Sequence, residues 1–569
     1  MPPKSKNNGP PRQFLFVGGP TLNPQSGNVR STLLRRVLDE KRAKRRQDAA
    51  DKLDSMLKKD AKAVPCSCPG QSVLADSLEA ASRRMIRPRN HNGGGLSDRC
   101  PTCGGFLPAL TASRGDRTML APSPQLLGAG RSDPLLPVDA TAARLKVHEL
   151  LDFTANTIWP HFRPLDYAGN CYKDWVFPVE NNLLYYAVLW SASYHRDILR
   201  ITHGASQPQL DAKEQLELKE LALQALQKEV ANVSETTSPD ALVMCILYLA
   251  VNDKHKSKIS RDPSPFSPPF INLQALDFYG SRDYHSLHWT VVQDIVRRFG
   301  GIHSLRAFAL AWLLSLSDLM SAVQMLSKPI YSIVGLDAQP LRLQPPSLLF
   351  QPHGHHDTLD DPGSGFHDLV YIWPPIKQDI VPIFVHLGQF SGVLQHYSGE
   401  TCSPVVLSLL GDSRNLVHHR LLSLPDENDP LELILECKDQ AAEENELSRE
   451  IYLTCRLSAI LYAVHVTFPV PRTQLLRESI LQSLCPRFDR LSTQNVSRPL
   501  LVWCVAVTIS ALGDESPEPL MAYMARLLQD AEVDTVPKLL ALLRSFAWVD
   551  AAVQESWEGR WTRITSEAA

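Results

Sequence analysis

From Asp139 onward apolar residues recur at helical spacing, and the alternation of a half-buried strand is almost absent, which restricts the chain to an all-α architecture. Val147, Leu151, Thr154 and Ile158 open the series at i, i+4, i+7 and i+11 behind a capping residue at Asp139 or Thr141. Further helices are predicted over 180–201, 211–233, 239–252, 286–299, 304–327, 379–397, 445–465, 473–485, 498–512, 517–530 and 536–558. Segments 253–285, with Pro263, Pro265, Pro268 and Pro269, and 337–366, with a His-Gly-His-His run, read as surface loops. No fixed-period repeat stands out, so a uniform solenoid is not expected.

The 569 residues divide by texture. Residues 1–27 are rich in Pro, Gly, Asn and Ser and read as a disordered arm, broken by the apolar patch Phe14, Leu15, Phe16 and Val17, a docking element or short strand. Gly and Pro vanish over 28–62, where Val29, Leu33, Val37 and, offset, Leu34 and Leu38 give one narrow apolar stripe and predict a helix. Residues 63–138 read as a Pro/Gly-rich linker, and 139–569 as the large helical domain. Apolar runs such as Ala241–Val251 and Leu500–Leu512 have the length of buried helices; about 20 such residues are needed to cross a bilayer, so no membrane span is expected.

A formal net charge of -3 hides a segregation. Residues 1–62 hold fifteen Lys or Arg against six Asp or Glu, an excess of +9, and the rest of the chain is acidic. Arg35, Arg36, Lys41, Arg42, Lys44, Arg45 and Arg46 concentrate that excess on the predicted helix. Long cations gathered on so short a segment suit an import receptor or a polyanion such as nucleic acid, and also a merely solvated helix face. Leu53, Met56 and Leu57 do not continue an apolar heptad, which sets a leucine zipper aside.

The chain begins without the apolar core of a secretory signal, so its eleven cysteines are expected as free thiols or metal ligands. Cys66, Cys68, Cys100 and Cys103 could close a tetrahedral zinc site, although only the second pair has the usual spacing; reduced cysteines in a linker are the competing expectation, and no other cofactor is expected. His353, His355, His356, Asp357, Asp360, Asp361, His367 and Asp368 supply nitrogen and oxygen ligands, but a loop without i, i+4 spacing does not preorganise them. Phosphate loops, dinucleotide fingerprints, nucleophile elbows and zincin motifs do not occur, so no catalytic residue is proposed. Trp159, Trp175, Trp190, Trp289, Trp312 and Trp548 fall within apolar helical patterns, as core residues do; a ligand pocket among them has no sequence signature.

Several segments together resemble the fungal-specific transcription factor domain. They are His148 to Trp190, with Ile158-Trp159-Pro160, Trp175-Val176-Phe177-Pro178 and Ala187-Val188-Leu189; His288 to Ile302, ending Arg298-Phe299-Gly300-Gly301-Ile302; Ser317-Asp318; and Trp548 to Trp561. The similarity covers most of 145–565. The Phe14 to Val17 patch followed by the basic helix resembles a subgroup lacking the six-cysteine binuclear zinc cluster, whose pattern the four linker cysteines do not reproduce. The resemblance implies a nuclear transcriptional regulator whose partners are the transcription machinery or other nuclear proteins. The alternative is a scaffold or cofactor of transcription that binds no DNA.

Overall fold

The structure, a computed structural model, describes residues 145–567 apart from 165, 177–181, 203–212, 232–237, 253–260, 351–361, 438–439 and 554–556. Within them lie 18 α-helices and no strand. The first half comprises α1 (Val147–Phe153), α2 (Trp159–Phe162), α3 (Tyr167–Cys171), α4 (Asn182–Thr202), α5 (Lys213–Ala231), α6 (Asp240–Val251), α7 (Leu276–Tyr279), α8 (Ser286–Arg298), α9 (Leu310–Met325) and α10 (Pro346–Phe350). The second comprises α11 (Val381–Tyr397), α12 (Pro404–Ser423), α13 (Ala442–Tyr462), α14 (Gln474–Leu491), α15 (Arg498–Leu512), α16 (Glu518–Asp530), α17 (Val536–Ser545) and α18 (Trp557–Glu567). One contiguous apolar cluster runs from Leu145 to Ile564 through both halves.

Helix α4 packs against α5 and α6, α6 against α8, and α13 against α14 and α15. Helices α6 and α15 are apolar on every side and buried accordingly, whereas α5 carries one buried seam, Gln215, Leu218 and Ala222, and a solvated remainder. The second half meets the first where α12 lies against α9.

Four expectations from periodicity are corrected. The helix predicted over 304–327 begins at Leu310, because carboxylates from elsewhere capture the backbone N–H groups ahead of it: Asp240 accepts from Arg306 and Ala307, both at 2.9 Å, and Asp174 accepts from Phe308 at 2.6 Å. The helix predicted over 536–558 stops at Ser545. Phe546, Ala547, Trp548 and Val549 are all buried, and a helix on the surface of a bundle buries one face, not four consecutive residues.

Part of 253–285 is no surface loop. Residues 261–285 form a strap whose Phe266, Leu276, Phe278 and Arg282 are buried, tied down by backbone bonds from Asp262 to Pro471 and from Ser267 to Ala552. Likewise 337–366 sends Phe366 into the core, and its turn at Gly363 passes so close to α11 that a Cβ on Gly388 would lie 2.4 Å from the Gly363 Cα.

Helix α12 was not expected at all. Its start is chemically explicit: Ser403 accepts from the Val406 N–H at 3.3 Å, with Pro404 in the first turn. Its length lacks a polar face, because Asp412, Arg414, Asn415 and His418 are buried with its leucines.

Candidate functional site: an aromatic cavity and the polar layer behind it

The cavity is built where α1 turns into α2. Between them Thr154–Ile158 form a π-helical turn, and the inward side chains of Thr154, Ile158, Trp159 and Phe162 make one wall. A second π-helical turn, Tyr172–Val176, presents Trp175 edge-on to Trp159 at a centroid distance of 5.5 Å. Trp175 is held by its indole N–H, which donates to the Phe308 carbonyl at 3.0 Å. Single π-helical turns occur often at functional sites because the inserted residue displaces side chains from the regular pattern.

Helix α4 adds Val188, Ser191 and Ala192, α6 adds Leu247, Tyr248 and Val251, and α9 adds Leu313, Leu316, Ser317 and Met320, with Tyr279 from α7. The enclosed space among these groups is about 30 Å³, room for a water molecule or two. No Asp, Glu, Lys, Arg or His lines it.

The lining is neutral but not wholly apolar, and most of its hydroxyls are committed. Thr154 donates to the Leu150 carbonyl at 2.6 Å, Ser191 accepts from Asn252 Nδ2 at 3.1 Å, and Tyr279 Oη meets His195 Nδ1 at 3.2 Å. Tyr167 lies against the Cys171 thiol. The His195 ring stacks on Phe278 at 3.8 Å, and burial lowers its pKa to about 3, so it stands behind the cavity as a neutral imidazole. The Tyr248 hydroxyl makes no hydrogen bond among the described residues; burial pushes it well above the usual phenol range, yet the residue remains partly accessible. A group deep in protein that still meets free space faces a cavity.

Behind Phe162 lies a layer of buried charge. Arg163 makes two parallel 2.6 Å bonds to Asp412 of α12, both side chains being almost wholly buried. Burial pulls the guanidinium toward deprotonation, but the Asp412 carboxylate outweighs it and leaves Arg163 above its ordinary pKa. Two residues on, Arg414 donates to the Leu273 carbonyl and the Gln274 side chain at 2.9 Å, and its pKa is pushed down to about 9 by burial. His418, lowered to about 3 by burial, joins Thr467 at 2.7 Å. The polar residues of α12 thus hold α2, the strap before α7 and the end of α13 together.

The motif segments resolve into identifiable jobs. Gly300 and Gly301 take φ of 95° and 88°, which lets the Gly301 N–H reach back to the Val296 carbonyl at 2.8 Å and close the end of α8. Ser317 faces the cavity, and its neighbour Asp318 accepts from the N–H groups of Ile330 at 2.7 Å and Tyr331 at 2.9 Å. Phe177 and Pro178 lie outside the described residues.

Burial raises the Asp318 carboxyl to about 6, although those two N–H bonds act in the opposite direction. An unfolded Asp titrates near 3.8, so between these values the folded chain holds the extra proton, and stability is gained as pH falls from about 6 to about 4 and lost as it rises again. Asp318→Asn, which keeps an accepting oxygen, is expected to remove up to about 3 kcal/mol of that slope. Urea midpoints of parent and variant at pH 4 and pH 7 check this; an identical pH dependence in both would refute it.

The residues singled out in the sequence are largely elsewhere. Phe14 to Val17, the cations from Arg35 to Arg46, the four linker cysteines and His353 to Asp361 all lie outside the described residues. His367 and Asp368 are described: Asp368 accepts a hydrogen bond from Ser497, and no group of three metal-ligating side chains occurs among the described residues. The described cysteines, Cys171, Cys245, Cys402, Cys437, Cys455, Cys485 and Cys504, are free thiols. All six tryptophans read as core are buried. The cavity itself was missed. Its faint signal was Tyr248, the one large polar side chain in the otherwise apolar heart of α6.

Among the described residues the body is all-helical, and its buried charges bind distant segments together. Residues 149–563 match the fungal specific transcription factor domain, and the chain belongs to that family. Comparisons with curated proteins and with solved structures found no match. No helix among the described residues is long and apolar enough to cross a membrane.

Proposed function

We propose that the chain is a nuclear regulator of transcription that acts through protein contacts made by its helical domain, with the basic segment serving as its import signal. The observation that supports this most directly is the family match over 149–563 joined, in one chain, to an N-terminal stretch with an excess of +9. The cysteines ahead of the domain, Cys66, Cys68, Cys100 and Cys103, do not make the six-ligand pattern of a binuclear zinc cluster, so base-specific reading by that device is not part of the proposal. The same cations suit phosphate contact without sequence preference, which would add affinity that falls steeply with salt.

Changing Lys41, Arg42, Lys44, Arg45 and Arg46 together to Gln is expected to spread a tagged protein from the nucleus through the cell. Nuclear concentration equal to the parent's would refute the import role. A scaffold without DNA contact predicts, in addition, no binding to mixed duplex DNA at either low or moderate salt.

A further inference from the structure

We infer that the exposed aromatic face built by Val370, Tyr371, Trp373 and Leu433 is a docking surface for the basic segment of this same chain, residues 28–46. The backbone there fixes which rings turn outward. The chain leaves the 3₁₀ turn Ser364–Tyr371 extended at Ile372, and Pro374 and Ile376 are buried, so the alternate positions Tyr371 and Trp373 face away from the core. Tyr371 is 85% and Trp373 61% exposed. A second stretch pins this one: the Glu436 N–H donates to the Pro375 carbonyl at 2.9 Å and the Lys377 N–H to the Ile434 carbonyl at 2.8 Å, with Leu433 exposed beside them. Two large rings held outside the core on a fixed backbone bury area at little cost in entropy, which is the make-up of a binding hot spot.

Charge names the occupant. Residues 426–446, which include the pinning stretch, hold nine Asp or Glu and one Lys. Asp429, Glu446 and Glu427 pair with Lys328, Arg449 and Arg487, while Glu436 and, in the first turn of α13, Glu443 and Glu444 are exposed. Asp379 adds to the negative field, and half-buried Lys377 offsets one charge of it. A face of this sign repels nucleic acid, and two copies of it would bring like charges together, so neither a polyanion nor the same face of a second copy fits.

Residues 28–46 carry eight Lys or Arg against two acids, interleaved with Val29, Leu33, Leu34, Val37 and Leu38. One stretch thus supplies apolar side chains for the rings, guanidinium groups to lie over Tyr371 and Trp373, and cations for the carboxylates. Arg46 stands about a hundred residues before Leu145, so chain length does not restrict which face the segment reaches. Docking covers the cations, so the surface that holds the segment also withholds it from an import receptor or a phosphate backbone. The contact itself does not presuppose the import role.

The probe is a fluorescein-labelled peptide of residues 28–46, titrated by polarisation into purified full-length protein. The receiving variant has Lys41, Arg42, Lys44, Arg45 and Arg46 changed to Gln, which vacates the face. Saturable binding is expected, about tenfold weaker at about 0.5 M than at about 0.05 M NaCl. Parent protein should bind the peptide at least about tenfold more weakly than the Gln variant, because its own tethered segment competes. Adding Tyr371→Ala and Trp373→Ala to the Gln variant should also cost at least about tenfold. If circular dichroism shows that this variant loses helical content, Glu436→Gln with Glu443→Gln and Glu444→Gln, all at exposed positions, takes its place, with a loss of about fivefold expected. No saturable binding, a parent as receptive as the Gln variant, or an affinity indifferent to these substitutions would each overturn the assignment. A parent dimer that the Gln variant does not form would move the segment to a second copy and overturn it too. Nuclear localisation plays no part in the readout, so docking and the import role fail independently.

Discussion

Arg163→Ala is expected to destabilise the helical domain by about 3–5 kcal/mol, because it leaves the Asp412 carboxylate buried without its partner. The two groups are far apart in sequence and 2.6 Å apart in space, with both oxygens of the carboxylate engaged. Neither can reach water when the other is removed, so Asp412→Ala should cost a similar amount. The informative variant is the double one. Arg163→Met with Asp412→Leu exchanges the pair for apolar groups of comparable size and should recover most of the loss, since a buried ion pair gains little over a well-packed apolar one. Denaturant midpoints at unchanged slope give the comparison. Single variants within about 0.5 kcal/mol of the parent, the range of ordinary surface changes, would mean that the pair is solvated and does not hold α2 to α12.

The second large effect is expected at Trp503, at the centre of the second half. Its ring packs edge-on to Phe366 and stacks with Phe546 at 5.9 Å, and its N–H donates to the Ala547 carbonyl at 2.9 Å. Trp503→Ala opens a cavity on all these sides at a cost of about 3–5 kcal/mol, and orphans a carbonyl of the non-helical segment after α17. Trp503→Phe keeps much of the packing and loses the bond, so about 1–3 kcal/mol is expected. Trp373→Ala is the control: that ring is 61% exposed and should matter little. If Trp503→Ala melts within a degree or two of the control, the second half is not organised around this ring.

Much of the helical pattern was legible because it depends on local spacing. The helices over 182–202, 213–231, 240–251 and 498–512 fall within two residues of the limits that apolar periodicity suggests. Where the periodicity misled, a partner distant in sequence was responsible. Asp174 and Asp240 hold the backbone before α9 out of the helix, and the core claims 546–549 as non-helical chain. Helix α12 escaped notice for the complementary reason: its polar residues are turned inward, toward groups supplied by α2, the strap and α13.

The sequence alone determined the all-α class, the burial of the six tryptophans set in apolar helical patterns, the resemblance to the transcription factor family and the gathering of positive charge at one end. Each of these is written in residue types and their spacing along the chain. Tertiary structure decided which polar residues turn inward, that Arg163 meets Asp412, and that Tyr248 is left with its hydroxyl uncommitted beside an aromatic chamber. A hydrogen bond or a void depends on side chains brought together from tens to hundreds of residues apart, and no local pattern encodes which of them will meet.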